Sequence, residues 1–182
     1  MSKKFILGGG CFWCTEAIFQ RVQGVLHVRS GYCGGSEENP SYELICTKLS
    51  AHAEVIEVEY DPMILSLEQL LLIFWITHDP TTPNQQGADQ GPQYRSILFP
   101  KDAIEEELCH SVRTAVQPNF SSAIVTEIIP HEEEHPFWPA EDYHQNFYNE
   151  HPNQGYCQFV IHPKVEKLPL VLKEIYSSNL RT

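Results

Sequence analysis

The chain has 182 residues, of which 42% are hydrophobic, 20% charged and 11% aromatic, so it is neither disordered nor fibrous and fits one domain with a single core. Its 24 Asp and Glu outweigh 12 Lys and Arg to give a net charge of −12, which argues against nucleic acid or an anionic membrane surface as partner. The longest apolar run, Leu70–Ile76, is too short to cross a bilayer, and Met1–Gly8 lacks the apolar stretch of a signal peptide, so a cytoplasmic location is expected.

In chain order, Lys3–Leu7 reads as a strand running into Gly8-Gly9-Gly10, and Phe12–Arg21 as an amphipathic helix with Ala17, Ile18 and Phe19 on its apolar side. Val25–Gly31 reads as a strand ended by Gly34-Gly35, and Tyr42–Cys46 as a short helical turn. Alternation over Ala53–Tyr60, closed by Asp61-Pro62, is the clearest strand signal. Ser66, with Gln69 three positions later, forms a capping box that opens a helix over Leu67–His78. The polar loop Asp79–Gln93 is of a length that goes with function in compact domains. Tyr94–Phe99 is a strand, Asp102–Ala115 a helix and Ile124–Ile129 a further strand. Ala140–Tyr148 reads as helical, an irregular run passes through Cys157, and a last helix covers Val165–Tyr176. Two successive strand-helix-strand units predict an α+β fold, a ferredoxin-like two-layer sandwich (split βαβ) with loop and C-terminal additions, in one domain over residues 1–182.

Six cysteines in a chain of this size do not suggest a disulfide framework, because the core needs no staples. Only one close pair occurs, Cys11-Phe12-Trp13-Cys14, where a structural zinc site normally shows two. Cys11 stands where a strand and three glycines meet the start of a helix. A thiolate there feels the positive end of the helix dipole and accepts backbone N–H bonds, both of which favour its charged, reactive form. Phe12 and Trp13 read either as core aromatics or as an apolar pocket beside the sulfur, suited to a methyl or thioether group. His131-Glu132-Glu133-Glu134-His135 matches the H-E-x-x-H zinc pattern, but that pattern works only on a helix. Pro130 and Pro136 flank it, so no metal site is expected there.

Gly10-Cys11-Phe12-Trp13 followed by Glu16 and Phe19 resembles the signature of the A-type peptide methionine sulfoxide reductases. The likeness continues, in the family's order, through Gly31-Tyr32-x-Gly34-Gly35, Asn39-Pro40-x-Tyr42, His52-Ala53-Glu54 and His78-Asp79-Pro80-Thr81. It extends through Gln86-Gly87-x-Asp89-x-Gly91-x-Gln93-Tyr94-Arg95-Ser96, Ala140-Glu141-Asp142-Tyr143-His144-Gln145 and Tyr156-Cys157, and covers about residues 4–165.

The resemblance implies a single catalytic domain that reduces methionine S-sulfoxide, free or in peptides and proteins, without a bound cofactor or metal, and a monomer is expected. Cys11 would attack the sulfoxide sulfur and be left as a sulfenic acid, and Glu54 would be the general acid. Glu54 shares a strand face with Ile56 and Val58, and burial there would raise its pKa and keep it protonated. Tyr42 and Tyr94 would donate hydrogen bonds to the sulfoxide oxygen, Asp89 would position substrate or water, and Phe12 and Trp13 would hold the methyl group.

Regeneration requires a second thiol to form a disulfide, which thioredoxin, or dithiothreitol in vitro, then reduces. Cys14, one helical turn from Cys11, and Cys157, at the family's usual C-terminal position, are both candidates for that resolving thiol. Cys33 and Cys46 are weaker candidates, and Cys109 is expected to pack in its helix. The chain departs from many members in three places. The Gly-rich tail with a further cysteine is replaced by Val160-Ile161-His162-Pro163-Lys164 and a helix. Position 14 is often Gly in the family, and Ser50-Ala51 precede His52 where a Gly is usual; a small local change is expected there. The alternative is a thiol redox switch or a thioredoxin-like oxidoreductase using Cys11 and Cys14, and turnover with excess dithiol separates a switch from an enzyme.

Overall fold

The computed structural model describes residues 1–131 and 135–178. The His131–His135 motif falls in part on residues 132–134 and so lies in part outside the described residues. Strand β1 (Lys3–Gly9), helix α1 (Phe12–Phe19), strand β2 (Val25–Cys33), helix α2 (Tyr42–Cys46), strand β3 (Ala53–Tyr60) and helix α3 (Leu67–Ile76) follow one another. A small hairpin of β4 (Gln85–Gln86) and β5 (Asp89–Gln90) precedes strand β6 (Ser96–Phe99) and helix α4 (Ala103–Val116). Two short strands, β7 (Glu127–Ile128) and β8 (Trp138–Pro139), the one-turn helix α5 (Phe147–Glu150) and helix α6 (His162–Ser178) complete the order.

The main sheet runs β7-β6-β1-β3-β2-β8 and is antiparallel except where β7 lies parallel to β6. Alternation along β3 divides its residues between the two faces. Ile56 and Val58 join Phe5, Leu7 and the apolar sides of α1 and α3 in the main core. Ala53 and Val55 face the other way, onto a smaller cluster with Ile6, Ile97 and Phe99 that Ile129 and Phe137 help to cover. The capping box at α3 is present: Gln69 N–H donates to Ser66 Oγ at 3.2 Å, and Ser66 N–H donates to Gln69 Oε1 at 2.9 Å. Behind it α3 buries Leu70, Leu71, Ile73, Phe74 and Trp75, each contributing about 1.5–3 kcal/mol by leaving water.

The structure differs from the sequence-based reading after α3. The Asp79–Gln93 loop carries the β4–β5 hairpin, and Tyr94 ends a 3₁₀ turn, Pro92–Tyr94, rather than opening β6. The strand expected over Ile124–Ile129 shortens to β7, at the sheet edge. The helix expected over Ala140–Tyr148 is broken into a 3₁₀ turn, Asp142–His144, and α5, because Asn146 adopts a left-handed φ of 54°. Glu16 holds the break in place: its carboxylate accepts the N–H of Asn146 at 2.9 Å and of Phe147 at 3.3 Å, tying this segment to α1. Cys157 opens a π-helical turn, Cys157–Ile161, that leads directly into α6. Among the described residues no helix is long and apolar enough to cross a membrane.

Candidate active site

The end of β1 is shaped by its glycines. Gly10 has φ +101°, and a Cβ there would lie 2.6 Å from Gln86 Cγ, so both backbone and space demand glycine. The chain then enters α1 with Cys11 as N-cap, and Cys14 N–H donates to the Cys11 carbonyl at 3.0 Å. The Cys11 side chain makes no capping bond and faces a cavity of about 170 Å³.

That cavity brings together Cys11 at the N-cap of α1, Phe12 and Trp13 from α1, Tyr42 from α2, Glu54 from β3, Asp89 from β5 and Tyr94 from its turn. It also holds Tyr156, a residue quoted in a motif above but given no role there. Tyr156 donates its hydroxyl to Asp89 Oδ2 at 2.7 Å and lies 3.7 Å from Cys14 Sγ. Its place in the Tyr156-Cys157 motif was the sequence signal for it.

Glu54 is 2% exposed, and its Oε2 accepts the Phe12 N–H at 3.0 Å. Burial, reinforced by the nearby Asp89 and Cys14, pushes its carboxyl up to about 8 against that hydrogen bond, so it holds a proton at neutral pH. Burial likewise raises the Tyr42 and Tyr94 hydroxyls, which remain neutral donors.

The thiols reverse the expectation from the helix dipole. Burial raises Cys11 well above its ordinary value, and the hydrogen bond shared with Cys14 and the Glu54 carboxyl add to this. The Trp13 N–H directed at the sulfur opposes only part of it. Cys14 is the acidic thiol: the hydrogen bond from Cys11, together with the Lys164 ammonium, brings it down to about 7 despite its burial. Dehydration at Cys11 therefore opposes the helix end, and the two thiols share one hydrogen bond.

The aromatic wall is held from outside. Trp13 stacks on Phe147 with ring centres 3.7 Å apart, and its indole N–H donates to His144 Nδ1 at 3.2 Å. Glu141 accepts the Tyr42 N–H at 2.8 Å and the Tyr32 hydroxyl at 3.0 Å. Both His144 and Glu141 lie in the Ala140–Gln145 block, where a histidine and a carboxylate among aromatics were the available signal.

The remaining cysteines lie elsewhere. Cys157 is fully buried and raised, by burial and by the charge of Cys14, which places it near Cys14 and outside the cavity. Cys33 donates to the His135 carbonyl at 3.1 Å on the other face of the sheet, and burial pushes it up to about 12. Cys109 is buried in α4, and Cys46 is exposed on α2. At the Ser50-Ala51 departure, the Ser50 hydroxyl sits 2.7 Å from His52 Nδ1 and steadies the start of β3. All six cysteines are free, and among the described residues no three His, Cys, Asp or Glu are grouped to hold a metal ion. A second, larger cavity of about 560 Å³ beside β2 shares no lining residue with the first.

Comparison with known proteins agrees with this geometry. The chain is 50% identical over 174 residues to peptide methionine sulfoxide reductase MsrA of a Nitratiruptor species, covering 96% of this chain and 98% of that protein. Its fold matches methionine sulfoxide reductase A of Corynebacterium diphtheriae with a TM-score of 0.81 at 31% identity, over 87% of this chain and 78% of the other. It also matches reduced Mxr1 of Saccharomyces cerevisiae, with a TM-score of 0.79 at 33% identity over 86% and 89% of the two chains. That yeast protein has also been solved in complex with Trx2, a structure with a TM-score of 0.56 and 24% identity over 80% and 84%. Residues 3–175 match the peptide methionine sulfoxide reductase family as a whole, and the chain belongs to that family.

Proposed function

We propose that this protein reduces methionine S-sulfoxide, free or within polypeptides, to methionine at Cys11, and so repairs oxidised proteins. The observation that carries the reading is a neutral, 2%-exposed carboxylic acid, Glu54, facing the same small cavity as a thiol and two tyrosine hydroxyls. A sulfoxide presents a basic oxygen on an electrophilic sulfur, and this cavity matches both. Glu54 protonates the oxygen while Tyr42 and Tyr94 donate to it, Phe12 and Trp13 enclose the methyl group, and Asp89, held by Tyr156, positions the substrate. The Cys11 sulfur supplies two electrons and its thiol proton replaces the one Glu54 gave up: the sulfoxide becomes a thioether, and Cys11 leaves with the oxygen as a sulfenic acid.

Cys14 then condenses with that sulfenic acid, releasing water and forming the Cys11–Cys14 disulfide. Its acidity and the thiol–thiol hydrogen bond support this assignment over Cys157, which is buried and raised. An external dithiol, thioredoxin in the cell or dithiothreitol in vitro, exchanges with the disulfide and restores both thiols. A simple thiol switch has no use for a protonated acid in its cavity, so the reductase reading is preferred.

One equivalent of sulfoxide without reductant is expected to yield a Cys11–Cys14 disulfide by peptide mapping. In Cys14→Ser, Cys11 is expected to persist as a sulfenic acid that dimedone traps, with most thioredoxin-driven turnover lost. A Cys11–Cys157 disulfide as the main product would assign the resolving role to Cys157 instead.

The four strands β6-β1-β3-β2, with α1 connecting β1 to β2 and α3 leading from β3 towards β6, support a ferredoxin-like split βαβ core with the hairpin and the C-terminal segments as additions. The chain acts as one catalytic unit, and its free cysteines suit a reducing cytoplasm.

A further inference from the structure

The cavity of about 560 Å³ plays no part in the chemistry above. Its lining includes the edge of β2, Val25–Arg29, together with Gln20, Asp142 and Asn146. On its inner side β2 pairs with β3 along its length, but on its outer side it pairs with β8 only at Gly31 and Tyr32. At Ser30 the chain after β8 makes its last backbone contact, Ala140 N–H donating to the Ser30 carbonyl at 2.9 Å, and the Gln145 side chain completes the pairing. Ser30 N–H donates to Gln145 Oε1, and Gln145 Nε2 donates to the Ser30 carbonyl, both at 2.9 Å.

Ser30 thus turns its backbone N–H and C=O away from β3. The pleat repeats every two residues, so Val28 turns its own pair the same way, along the groove. Natural edge strands are usually blunted by lysine, proline, a β-bulge or a covering element. Val25–Arg29 has neither lysine nor proline; its register with β3 shifts between Val25 and His27, beside Leu26, which is 59% exposed, and Val28 is in regular register beyond the shift. Arg29 Nε, in the same lining, is buried without a hydrogen-bond partner among the described residues.

We propose that this groove binds the backbone of the oxidised polypeptide, an extended segment that adds to β2 as a further strand while its methionine sulfoxide occupies the catalytic cavity. The proposal rests on the reductase reading and names how that site takes protein substrates. The two cavities flank one short segment. Ala140, Asp142, Gln145 and Asn146 line the groove, whereas Glu141 and His144, from the same stretch, hold Tyr42 and Trp13 of the catalytic cavity. Extended residues advance about 3.3 Å each, so the length of peptide on either side of the methionine sulfoxide sets whether it also engages the groove. Strand addition draws affinity from main-chain hydrogen bonds and is tolerant of sequence. That suits substrates that share only an oxidised methionine. The groove lining also carries both signs of charge, Arg29 alongside Glu16 and Asp142.

The test compares three substrates on the unmodified enzyme with dithiothreitol. They are N-acetyl-methionine sulfoxide amide, an unstructured peptide of about twelve residues with a central methionine sulfoxide, and that peptide N-methylated at alternate backbone amides away from it. KM for the plain peptide is expected to be about five- to tenfold below that of the blocked amino acid, and one of the two alternate N-methylation patterns is expected to erase the gain. In parallel, the methionine form of the peptide, which cannot react, is expected to slow amide exchange at Val28 severalfold while the blocked amino acid does not. Equal KM values for peptide and blocked amino acid, or a Val28 exchange rate that the peptide leaves unchanged, would overturn the proposal. Turnover of none of the substrates would remove the reductase reading instead, and the exchange result would then decide the groove by itself.

Discussion

Cys11→Ser is expected to lower turnover of methionine sulfoxide by roughly a thousandfold or more, with substrate binding retained. The reason is electronic. Reduction of the sulfoxide requires an atom that gives up two electrons and accepts the oxygen, and a serine hydroxyl can do neither, although it fills almost the same space. The N-cap position of α1, the Phe12 and Trp13 wall and the Glu54 hydrogen bond to the Phe12 amide do not depend on the sulfur, so the fold and the pocket persist. Steady-state assay with dithiothreitol, together with calorimetric binding of the sulfoxide, separates the two effects. Substantial turnover in a correctly folded variant would mean that another residue is the nucleophile.

Glu54→Gln is expected to cost about 10²–10⁴ in kcat/KM, the usual contribution of a general acid. Glutamine keeps the acceptor for the Phe12 N–H and the volume, but it has no proton to give. The pH dependence supplies the second readout. Because burial raises Glu54 to about 8, the wild-type enzyme is expected to lose activity as pH rises through that value, and the variant to lack this limb. Stability follows the same proton. The folded state holds it between the ordinary value of 4.5 and about 8 while the unfolded chain has released it, so folding stability conferred by this residue falls as pH rises across that window. Glutamine does not titrate, and thermal melts of Glu54→Gln are expected to gain on wild type from about pH 5 to about pH 8. Retention of full activity by the variant would exclude Glu54 as the acid.

The parts of the fold that were legible in the sequence are those set by local patterning. The alternation in Ala53–Tyr60 and the Ser66–Gln69 capping box both appear as read, because each is fixed by side chains within a few residues of one another. The C-terminal third was less legible because its shape depends on distant partners. Asn146 is held in its left-handed conformation by Glu16, more than a hundred residues earlier, and no local pattern carries that. Most of the cavity was identified through family motifs, since Tyr42, Asp89 and Tyr94 in isolation look like turn or packing residues. The protonation of Cys11 was not legible in the sequence for a physical reason. Helix position is visible in a sequence, but the completeness of burial is not, and here burial opposes the dipole. Tyr156, Glu141 and His144 act by hydrogen bonds to residues far along the chain, so their contributions emerge only in three dimensions.

The central claim is that Cys11 and Glu54 together reduce one epimer of a chiral sulfoxide. The measurement that tests it most directly is turnover of the separated S and R epimers of a methionine sulfoxide peptide with excess dithiothreitol, followed by chromatography of the methionine product. The account predicts multiple turnovers of the S epimer and none of the R epimer. Reduction of R alone, or no turnover of either epimer by folded protein with all six thiols reduced, would contradict it.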